Sequence, residues 1–344
     1  MKELNIEHRS SAHCENGAIS ALLRFHGFDL SEPMIFGLAS GIYFAHMPFV
    51  KMSGMPVTAF RTFPGVLFKR IMKLLGVSTK TVRFLNKENA MRQLDKVLIE
   101  KGEPVGCVVG MYYLPYMPKE YRFHFNGHNI CIIGKDEATD TYAVLDSNAT
   151  QKVSLSGKDL LKVRFAKGGT YPLLGQMYYI TRMPEQLPDL NPLILKSIRK
   201  TCRHMTGLPR FIDFAGTNGI FLLARRIRTW EQRMGHRNAL LNLAQLVRMS
   251  EEIGTGGAGF RFMYGAFLQE ASARLGIKEL NDYAMRITEI GDLWREMAFI
   301  ASRIFKKREG ENYSFDDLGD LLERIATLET EFFKDLDRFV ARHQ

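Results

Sequence analysis

The spacing of apolar residues predicts helices in the first hundred residues and strands after them. Between Cys14 and His26, apolar side chains recur at the three- and four-residue intervals of one helix face, and Gly27 stands where a C-cap belongs. From Pro104 onward, short runs rich in Val, Ile and Tyr are typical of strands. The predicted helices are 14–26, 31–40, 64–75 and 87–101, and the predicted strands are 104–114, 128–134, 141–146 and 176–182.

A proline-containing stretch separates this region from a second one. Pro184, Pro188 and Pro192 each remove a backbone donor and disfavour helix before them, so the stretch is typical of a linker. Beyond it the strand signal vanishes, and helical patterns remain. We therefore expect an α+β domain with helices packed on an antiparallel sheet over 1–183, followed by an all-helical domain over 184–344. The helices predicted there are 238–252, 260–275, 277–307 and 315–342.

Composition excludes several classes of protein. The chain has 344 residues, of which 46% are apolar and 24% charged, so disorder is excluded. No run approaches the roughly 18 apolar residues of a membrane helix, and the N-terminus lacks the apolar core of a secretory signal. We expect a cytoplasmic protein without a transmembrane segment. The four cysteines, which have neither disulfide nor zinc spacing and predict no metal site, are Cys14, Cys107, Cys131 and Cys202.

The net charge of +10 is concentrated in one part of the chain. Eleven basic residues stand against three acids between Asp189 and Arg248, whereas ten acids occur from Glu309 through Asp337. This pattern indicates a negatively charged partner, such as a nucleic acid, a phosphate-bearing cofactor or an acidic protein. The alternative is a solvated basic face that the acidic C-terminal helix neutralises. The basic residues are Lys196, Arg199, Lys200, Arg203, Arg210, Arg225, Arg226, Arg228, Arg233, Arg237 and Arg248.

Cys14 is a candidate nucleophile because it stands at the predicted N-terminus of a helix. The unpaired amides and the positive dipole end there favour a thiolate. The alternative is a buried structural cysteine. His128 opens one predicted strand and Asp146 closes the next, and their numbers sum to 274, a register centred on residue 137. In that register both side chains share a face, roughly 4.5 to 8 Å apart, so the carboxylate can orient the imidazole.

The order of these residues, with a cysteine on a helix followed by His and Asp on adjacent strands, is that of papain-like thiol enzymes. Several segments make the resemblance more specific. They are similar to the N-terminal domain of the butirosin biosynthesis protein H family and, more distantly, to bacteriocin-processing cysteine peptidases. The segments are His13-Cys14, 22–27 (LLRFHG), 31–38 (SEPMIFGL) and 127–130 (GHNI), while 253–264 (IGTGGAGFRFMY) resembles the helical domain that usually accompanies that one.

This resemblance implies an acyltransferase of secondary-metabolite biosynthesis. It would move an acyl group from an acyl carrier protein thioester, through Cys14, to an amine or hydroxyl of a small-molecule acceptor. The phosphopantetheine arm of the carrier would present the donor, and no bound cofactor and no nucleic acid are implied. His128 would take the proton from Cys14 and Asp146 would fix the imidazole tautomer. Two alternatives stay open, a cysteine peptidase or amidase and a non-catalytic binding module.

Two further histidines near Cys14 are candidate supporting residues. Papain-like enzymes usually have a Gln six residues before the nucleophile to bind the oxyanion, and His8 occupies that place here. An imidazole can still donate one N–H to an oxyanion. His13 is the other candidate, although a helix-entry residue without a catalytic role explains it equally well. His124, which shares strand parity with His128, is a weaker candidate for the base.

A glycine-rich segment, residues 254–259, satisfies the letters of a dinucleotide fingerprint. It follows a predicted helix, and no βαβ unit surrounds it, so we reject dinucleotide binding. Gly254, Gly256 and Gly257, with Arg261 beside them, are candidates for binding the phosphate of a pantetheine arm. The alternative is a turn between two helices that needs positive φ.

Overall fold

The computed structural model describes residues 2–52, 54–119, 122–168, 172–207, 209, 212–306 and 313–343. The chain forms two compact units. Unit 1 contains Met1–Ile35 and Pro64–Pro188, and unit 2 contains Phe36–Phe63 and Asp189–Gln344. Among the described residues, no helix has the length and apolar character needed to cross a membrane.

Helices and strands largely follow the predicted order. The predicted helix 277–307 is found as Leu280–Lys306, and Lys307 lies outside the described residues, as does Glu309. In chain order the elements are β1 (Lys2–Glu3), α1 (Cys14–Phe25), α2 (Glu32–Leu38), β2 (Ile42–Met52), β3 (Met55–Arg61), α3 (Val66–Leu74), β4 (Ser78–Val82), α4 (Lys87–Asp95), β5 (Val105–Gly110), β6 (Asn126–Asp136), β7 (Thr141–Leu145), β8 (Val153–Ser156), α5 (Gly157–Arg164), β9 (Met177–Arg182), α6 (Leu190–Thr206), α7 (Gly216–Ile227), α8 (Trp230–Met234), α9 (His236–Val247), α10 (Arg261–Leu275), α11 (Leu280–Lys306) and α12 (Phe315–Ala341).

Unit 1 has the predicted α+β architecture, with helices packed on an antiparallel sheet. Seven strands from the described part of the chain form this sheet in the order β4–β9–β5–β6–β7–β8, and β1 pairs with the end of β6. Helix α1 packs on β5 and β6, while α5 packs on β5. Strand β6 is central, since it pairs with β5 on one side and with β7 on the other. The start of this strand carries the candidate base.

The sheet of unit 1 is buried on both faces. Ile130 and Ile132 of β6 belong to one core together with Leu94 of α4 and Leu160 of α5. Cys131 alternates with them and is fully buried. A strand with apolar residues at successive positions is expected where both faces are covered. The central position of β6 therefore makes the start of this strand a rigid platform.

The described elements between Leu190 and Ala341 are all helices, as the sequence predicts, but unit 2 also includes two strands from earlier in the chain. Strands β2 and β3 form an antiparallel hairpin in the segment 36–63, which also departs from the predicted domains 1–183 and 184–344. The hairpin joins unit 2 through the N–H of His46, which donates to the carbonyl of Phe214 at 2.8 Å, and through a bridge between Ala45 and Ala215. These long-range bonds, which the local pattern does not encode, explain the difference.

Candidate active site

Cys14 is the first residue of α1, as the sequence predicts, and several groups fix the chain there. The ring Nδ1 of His13, the N-cap residue, accepts the N–H of Asn16 at 3.4 Å. The carboxylate of Glu32 accepts the N–H of Ala12 at 2.9 Å and that of His13 at 2.6 Å. Because these bonds hold the three residues around the helix start, the backbone presents Cys14 in a defined position.

Cys14 differs from the other three cysteines in exposure. It is half-buried, whereas Cys107, Cys131 and Cys202 are buried. Burial raises the pKa values of the Cys107, Cys131 and Cys202 thiols. Reactive cysteines need access to solvent and substrate, so Cys14 is the one of the four whose position suits a nucleophile.

A β-bulge brings His128 and Asp146 to the same face of the sheet. Near the turn, the residue numbers of paired residues in β6 and β7 add up to 277, as for Asp136 and Thr141. If this register continued, His128 and Asp146 would lie on opposite faces of the sheet, because their own numbers add up to an even value. Between Ile132 and Gly134 the register shifts, and the sum becomes 276. The predicted register of 274 is therefore wrong in value. The observed register is even as well, so His128 and Asp146 do lie on one face, as diagonal rather than directly opposed neighbours.

The side chains of His128 and Asp146 form a buried pair. Nε2 of His128 lies 2.8 Å from Oδ2 of Asp146, and the two side chains are 3% and 0% exposed. The hydroxyl of Tyr116 donates to the same Oδ2 at 2.8 Å, and the N–H of Asn148 donates to Oδ1 at 2.9 Å. Because Nε2 is engaged by Asp146, Nδ1 is the ring nitrogen left to face Cys14.

Electrostatic interactions within this group favour a charged imidazole. Burial opposes the charged form of His128, but the negative charge of Asp146 and hydrogen bonds with Asp146 and Cys14 hold the pKa of His128 well above its ordinary value of 6.5. Burial likewise opposes the ionised form of Asp146, yet the charge and hydrogen bond of His128 bring its pKa below the ordinary 3.8. An imidazolium beside Cys14 favours the thiolate form of the sulfur.

His8 has a different task from the one predicted. Its Nε2 lies 3.0 Å from the backbone carbonyl oxygen of Asp146. A carbonyl oxygen only accepts, so Nε2 carries a proton and donates it to this bond. Ser10 and Ser11 also hydrogen-bond carbonyls of the loop after β7. His8 therefore connects the chain before Cys14 to the loop that carries Asp146, and its Nε2–H is already engaged rather than directed at the predicted oxyanion.

The other two histidines also have assigned partners. His13 is 4% exposed and caps α1, which is the alternative that the sequence left open for it. His124 precedes β6 and stacks on the ring of Tyr112, with ring centroids 4.1 Å apart and an interplanar angle of 11°. The Asp146 carboxylate binds and orients His128 rather than His124, which was the weaker candidate for the base.

Four residues of the site are absent from the sequence prediction. Glu32 binds the amides before Cys14, and Tyr116 binds Asp146. Nδ2 of Asn129 lies 3.8 Å from Sγ of Cys14, while the hydroxyl of Tyr178 donates to Oδ1 of Asn129 at 2.8 Å. Asn129 could have been recognised as a polar residue inside an apolar strand directly after the candidate base. The other three carry no local signal, because only the tertiary fold brings them to the site.

The glycine-rich segment is a turn, and Arg261 is not available to a phosphate. Gly254, Gly256 and Gly257 have φ values of 59°, 68° and 91°, which a turn between helices requires. Arg261 is 0% exposed, and its Nε and one terminal nitrogen bind the carboxylate of Glu329 at 2.8 and 2.9 Å. The predicted pantetheine contact of Arg261 is therefore wrong, since a buried bidentate ion pair occupies the guanidinium.

The basic stretch is neutralised in part by the acidic helix α12. Arg228 lies 2.7 Å from Asp320 and 3.1 Å from Glu323, and Arg199 lies 3.2 Å from Asp337. These two arginines follow the alternative in which the C-terminal helix balances the charge. Other basic residues of the stretch, including Arg225, Arg233 and Arg237, are exposed, and Arg210 lies outside the described residues.

Among the described residues, no group of His, Cys, Asp or Glu is arranged to hold a metal ion.

Two family models match the chain. The model described as "Butirosin biosynthesis protein H, N-terminal" matches residues 13–147, and the one described as "Domain of unknown function (DUF4872)" matches residues 158–336. The first match includes Cys14, His128 and Asp146. No curated protein matches the chain.

Proposed function

The chain belongs to the butirosin biosynthesis protein H-like family, as its sequence predicts, and from this premise we propose that it is a thiol acyltransferase of butirosin-type biosynthesis. Its donor is an acyl thioester on the phosphopantetheine arm of an acyl carrier protein. Its acceptor is an amine or hydroxyl of a small molecule, and the reaction takes place in the cytoplasm. Cys14 carries the acyl group between them.

One observation supports this proposal above the others. An accessible cysteine at a helix N-terminus lies beside a buried imidazole whose other ring nitrogen binds a carboxylate. In enzymes with this arrangement the histidine moves protons for the nucleophile, and the carboxylate fixes its tautomer and supports its charge. A buried structural cysteine would need no such partner.

The first half-reaction forms the acyl-enzyme. The Cys14 thiolate attacks the thioester carbonyl, and the new carbon–sulfur bond produces a tetrahedral oxyanion. The backbone N–H of Cys14, at the positive end of α1, is the donor that we assign to this oxyanion. When the intermediate collapses, the bond to the pantetheine sulfur breaks, and that sulfur takes the proton held by His128.

The second half-reaction consumes the acyl-enzyme. Neutral His128 accepts the proton of the acceptor amine or hydroxyl as this group attacks the acyl carbon, and the Cys14 sulfur leaves as a thiolate. The resting pair of imidazolium and thiolate is then restored. Water in the place of the acceptor would give hydrolysis, so exclusion of water decides between transferase and hydrolase.

An assay with matched donors distinguishes the proposal from its alternatives. The protein is incubated with an acyl carrier protein thioester, with and without a panel of amine and hydroxyl acceptors, and products are identified by mass spectrometry. We expect new amide or ester products that require both donor and acceptor. Release of free acid at an equal rate in the absence of acceptor would indicate a hydrolase, and cleavage of unmodified peptides would indicate a peptidase. Inertness toward all of these substrates would leave a binding module.

A further inference from the structure

Asn129 is a buried polar residue beside the nucleophile to which the mechanism above gives no part. It lies on β6 directly after His128 and is 5% exposed. Because successive residues of a strand point to opposite faces, Asn129 leaves the sheet on the face opposite to His128. The two side chains therefore reach Cys14 from different sides of the strand.

Two neighbours determine the orientation of the Asn129 amide. Its Nδ2 donates to the carbonyl oxygen of Gly127 at 3.1 Å, and its Oδ1 accepts the hydroxyl hydrogen of Tyr178 at 2.8 Å. A carbonyl oxygen can only accept, so the NH2 end of the amide must face Gly127. Burial, together with the negative charge of Glu15, holds the pKa of Tyr178 well above its ordinary value of 10.0, so the hydroxyl keeps the proton that it donates.

The amide nitrogen of Asn129 is also directed at the nucleophile. Nδ2 lies 3.8 Å from Sγ of Cys14, within the range of a hydrogen bond to sulfur. A neutral thiol is a weak acceptor, whereas hydrogen bonds to ionised acceptors are about twice as strong as neutral ones. The contact therefore stabilises the thiolate more than the thiol, and contacts of this kind shorten when the catalytic charge is present.

Packing holds the Tyr178 ring in place. A Cβ on Gly106 would lie 2.2 Å from Cε2 of this ring, so the absence of a side chain at Gly106 provides the space for the phenol. The Tyr178 ring, which extends from β9, also contacts the ring of Phe68 on α3, with centroids 4.5 Å apart. The hydroxyl consequently meets Asn129 from a fixed position.

We propose that Asn129 is a catalytic residue that binds the Cys14 thiolate, and that Tyr178 is the positioning residue that holds the Asn129 amide toward the sulfur. This inference rests on the proposed function, because it assigns a thiolate to Cys14. Unlike His128, the amide exchanges no proton during the cycle. It therefore donates to the sulfur both when the thiolate attacks the donor and when it leaves the acyl-enzyme.

The test measures the thiolate directly and needs no acyl donor. The rate at which iodoacetamide alkylates Cys14 in the folded protein is followed by mass spectrometry across a pH series. Asn129→Leu keeps the size of the side chain but removes the donor, and we expect the alkylation midpoint to rise by about one pH unit, with a roughly tenfold slower reaction at neutral pH. For Tyr178→Phe we expect a shift in the same direction and a slowing of about threefold.

Tyr179→Phe is the matched control. Tyr179 is the next residue on β9, is 2% exposed, and points to the other face of the sheet, so its variant should alkylate like the wild type. Circular dichroism checks that each variant is folded. If Asn129→Leu does not fold, Tyr178→Phe decides alone.

The outcomes separate this inference from the proposed function. If the pH midpoint of Cys14 alkylation in the wild type equals that of an ordinary cysteine, Cys14 is not an activated nucleophile, and the proposed function is overturned as well. An activated wild type whose midpoint is unchanged in Asn129→Leu, or in Tyr178→Phe, would overturn the inference and leave the proposed function standing. An equal shift in the Tyr179→Phe control would also overturn it, since the effect would then be a general response to losing a buried hydroxyl.

Discussion

His128 and Asp146 lie within hydrogen-bonding distance although they are not register partners of the hairpin that carries them. Their Nε2 and Oδ2 atoms are 2.8 Å apart because the bulge between Ile132 and Gly134 returns the two residues to one face of the sheet. The register near the turn would separate them. The bulge therefore determines the geometry of the site, even though it lies four to six residues along β6 from His128.

Replacing the carboxylate should disable the histidine without removing it. In Asp146→Asn the amide no longer fixes the tautomer or supports the charge of His128, and we expect acyl transfer to fall by about 10³- to 10⁴-fold. Tyr116→Phe removes one hydrogen bond to the same oxygen and should lower stability by about 1 to 2 kcal/mol, with a much smaller loss of activity. Denaturant titration and steady-state kinetics measure the two effects. Similar activity losses in both variants would contradict the role of Asp146.

The buried pair of His128 and Asp146 should make the free energy of unfolding depend on pH at both low and high pH. The pKa of Asp146 is lowered, so its contribution is present above the ordinary value of 3.8 and is lost as pH falls through the folded value. The pKa of His128 is raised, so its contribution is present below the ordinary value of 6.5 and is lost as pH rises through the folded value. The difference in free energy of unfolding between wild type and Asp146→Asn should therefore be largest at mildly acidic pH, between the two ordinary values of 3.8 and 6.5. A difference that does not vary with pH would contradict this assignment.

The pair of Arg261 and Glu329 should support the fold of unit 2. Removing one partner leaves a buried charge, so Arg261→Met should cost about 3 to 5 kcal/mol of unfolding free energy. In the double variant Arg261→Met and Glu329→Leu we expect much of this loss to be recovered, because no charge stays buried without a partner. Thermal unfolding measures both. An Arg261→Met protein of unchanged stability but weaker pantetheine binding would restore the phosphate site that the sequence predicted.

The exposed arginines of the basic stretch should contribute to binding of the carrier protein rather than to the chemical steps of acyl transfer. Carrier proteins are typically acidic, so charge reversal at Arg225 and Arg233 should raise the KM for the carrier-bound donor, and high salt should reduce the difference. Turnover of a small pantetheine thioester should change little. Arg228→Glu is the control, because its pairing with Asp320 predicts lower stability of α12 instead. Equal losses with both donors after reversal of Arg225 and Arg233 would mean that these residues do not dock the carrier.

Local patterns predict much of unit 1, and long-range pairing accounts for what they miss. The helix at Cys14 and the strands of His128 and Asp146 follow from apolar periodicity and turn signals, which act over a few residues. The bulge in β6 lies in an apolar run (130–133) whose pattern does not change when the register shifts by one residue, and the bond from Tyr178 to Asn129 joins strands that are distant in sequence. The same holds for the β2–β3 hairpin, whose hydrogen bonds reach Phe214.

Histidine chemistry shows the same limit at the level of single residues. His8 occupies the place of an oxyanion donor in the sequence, yet its Nε2–H donates to the carbonyl of Asp146. Position along the chain predicts that a side chain is near the nucleophile. It does not predict which atom the side chain binds, since that depends on the loop after β7, more than a hundred residues away.

Intact-protein mass spectrometry tests the central claim most directly. Wild-type protein, Cys14→Ala and a His124→Gln control are each mixed with an acyl carrier protein thioester and quenched in acid before the second half-reaction is complete. We predict an added mass of one acyl group on the wild type and on His124→Gln, with the modification mapped to Cys14, and no added mass on Cys14→Ala. An acyl adduct that persists on Cys14→Ala, or a wild type that stays unmodified by a donor shown to acylate another thiol enzyme, would contradict the account.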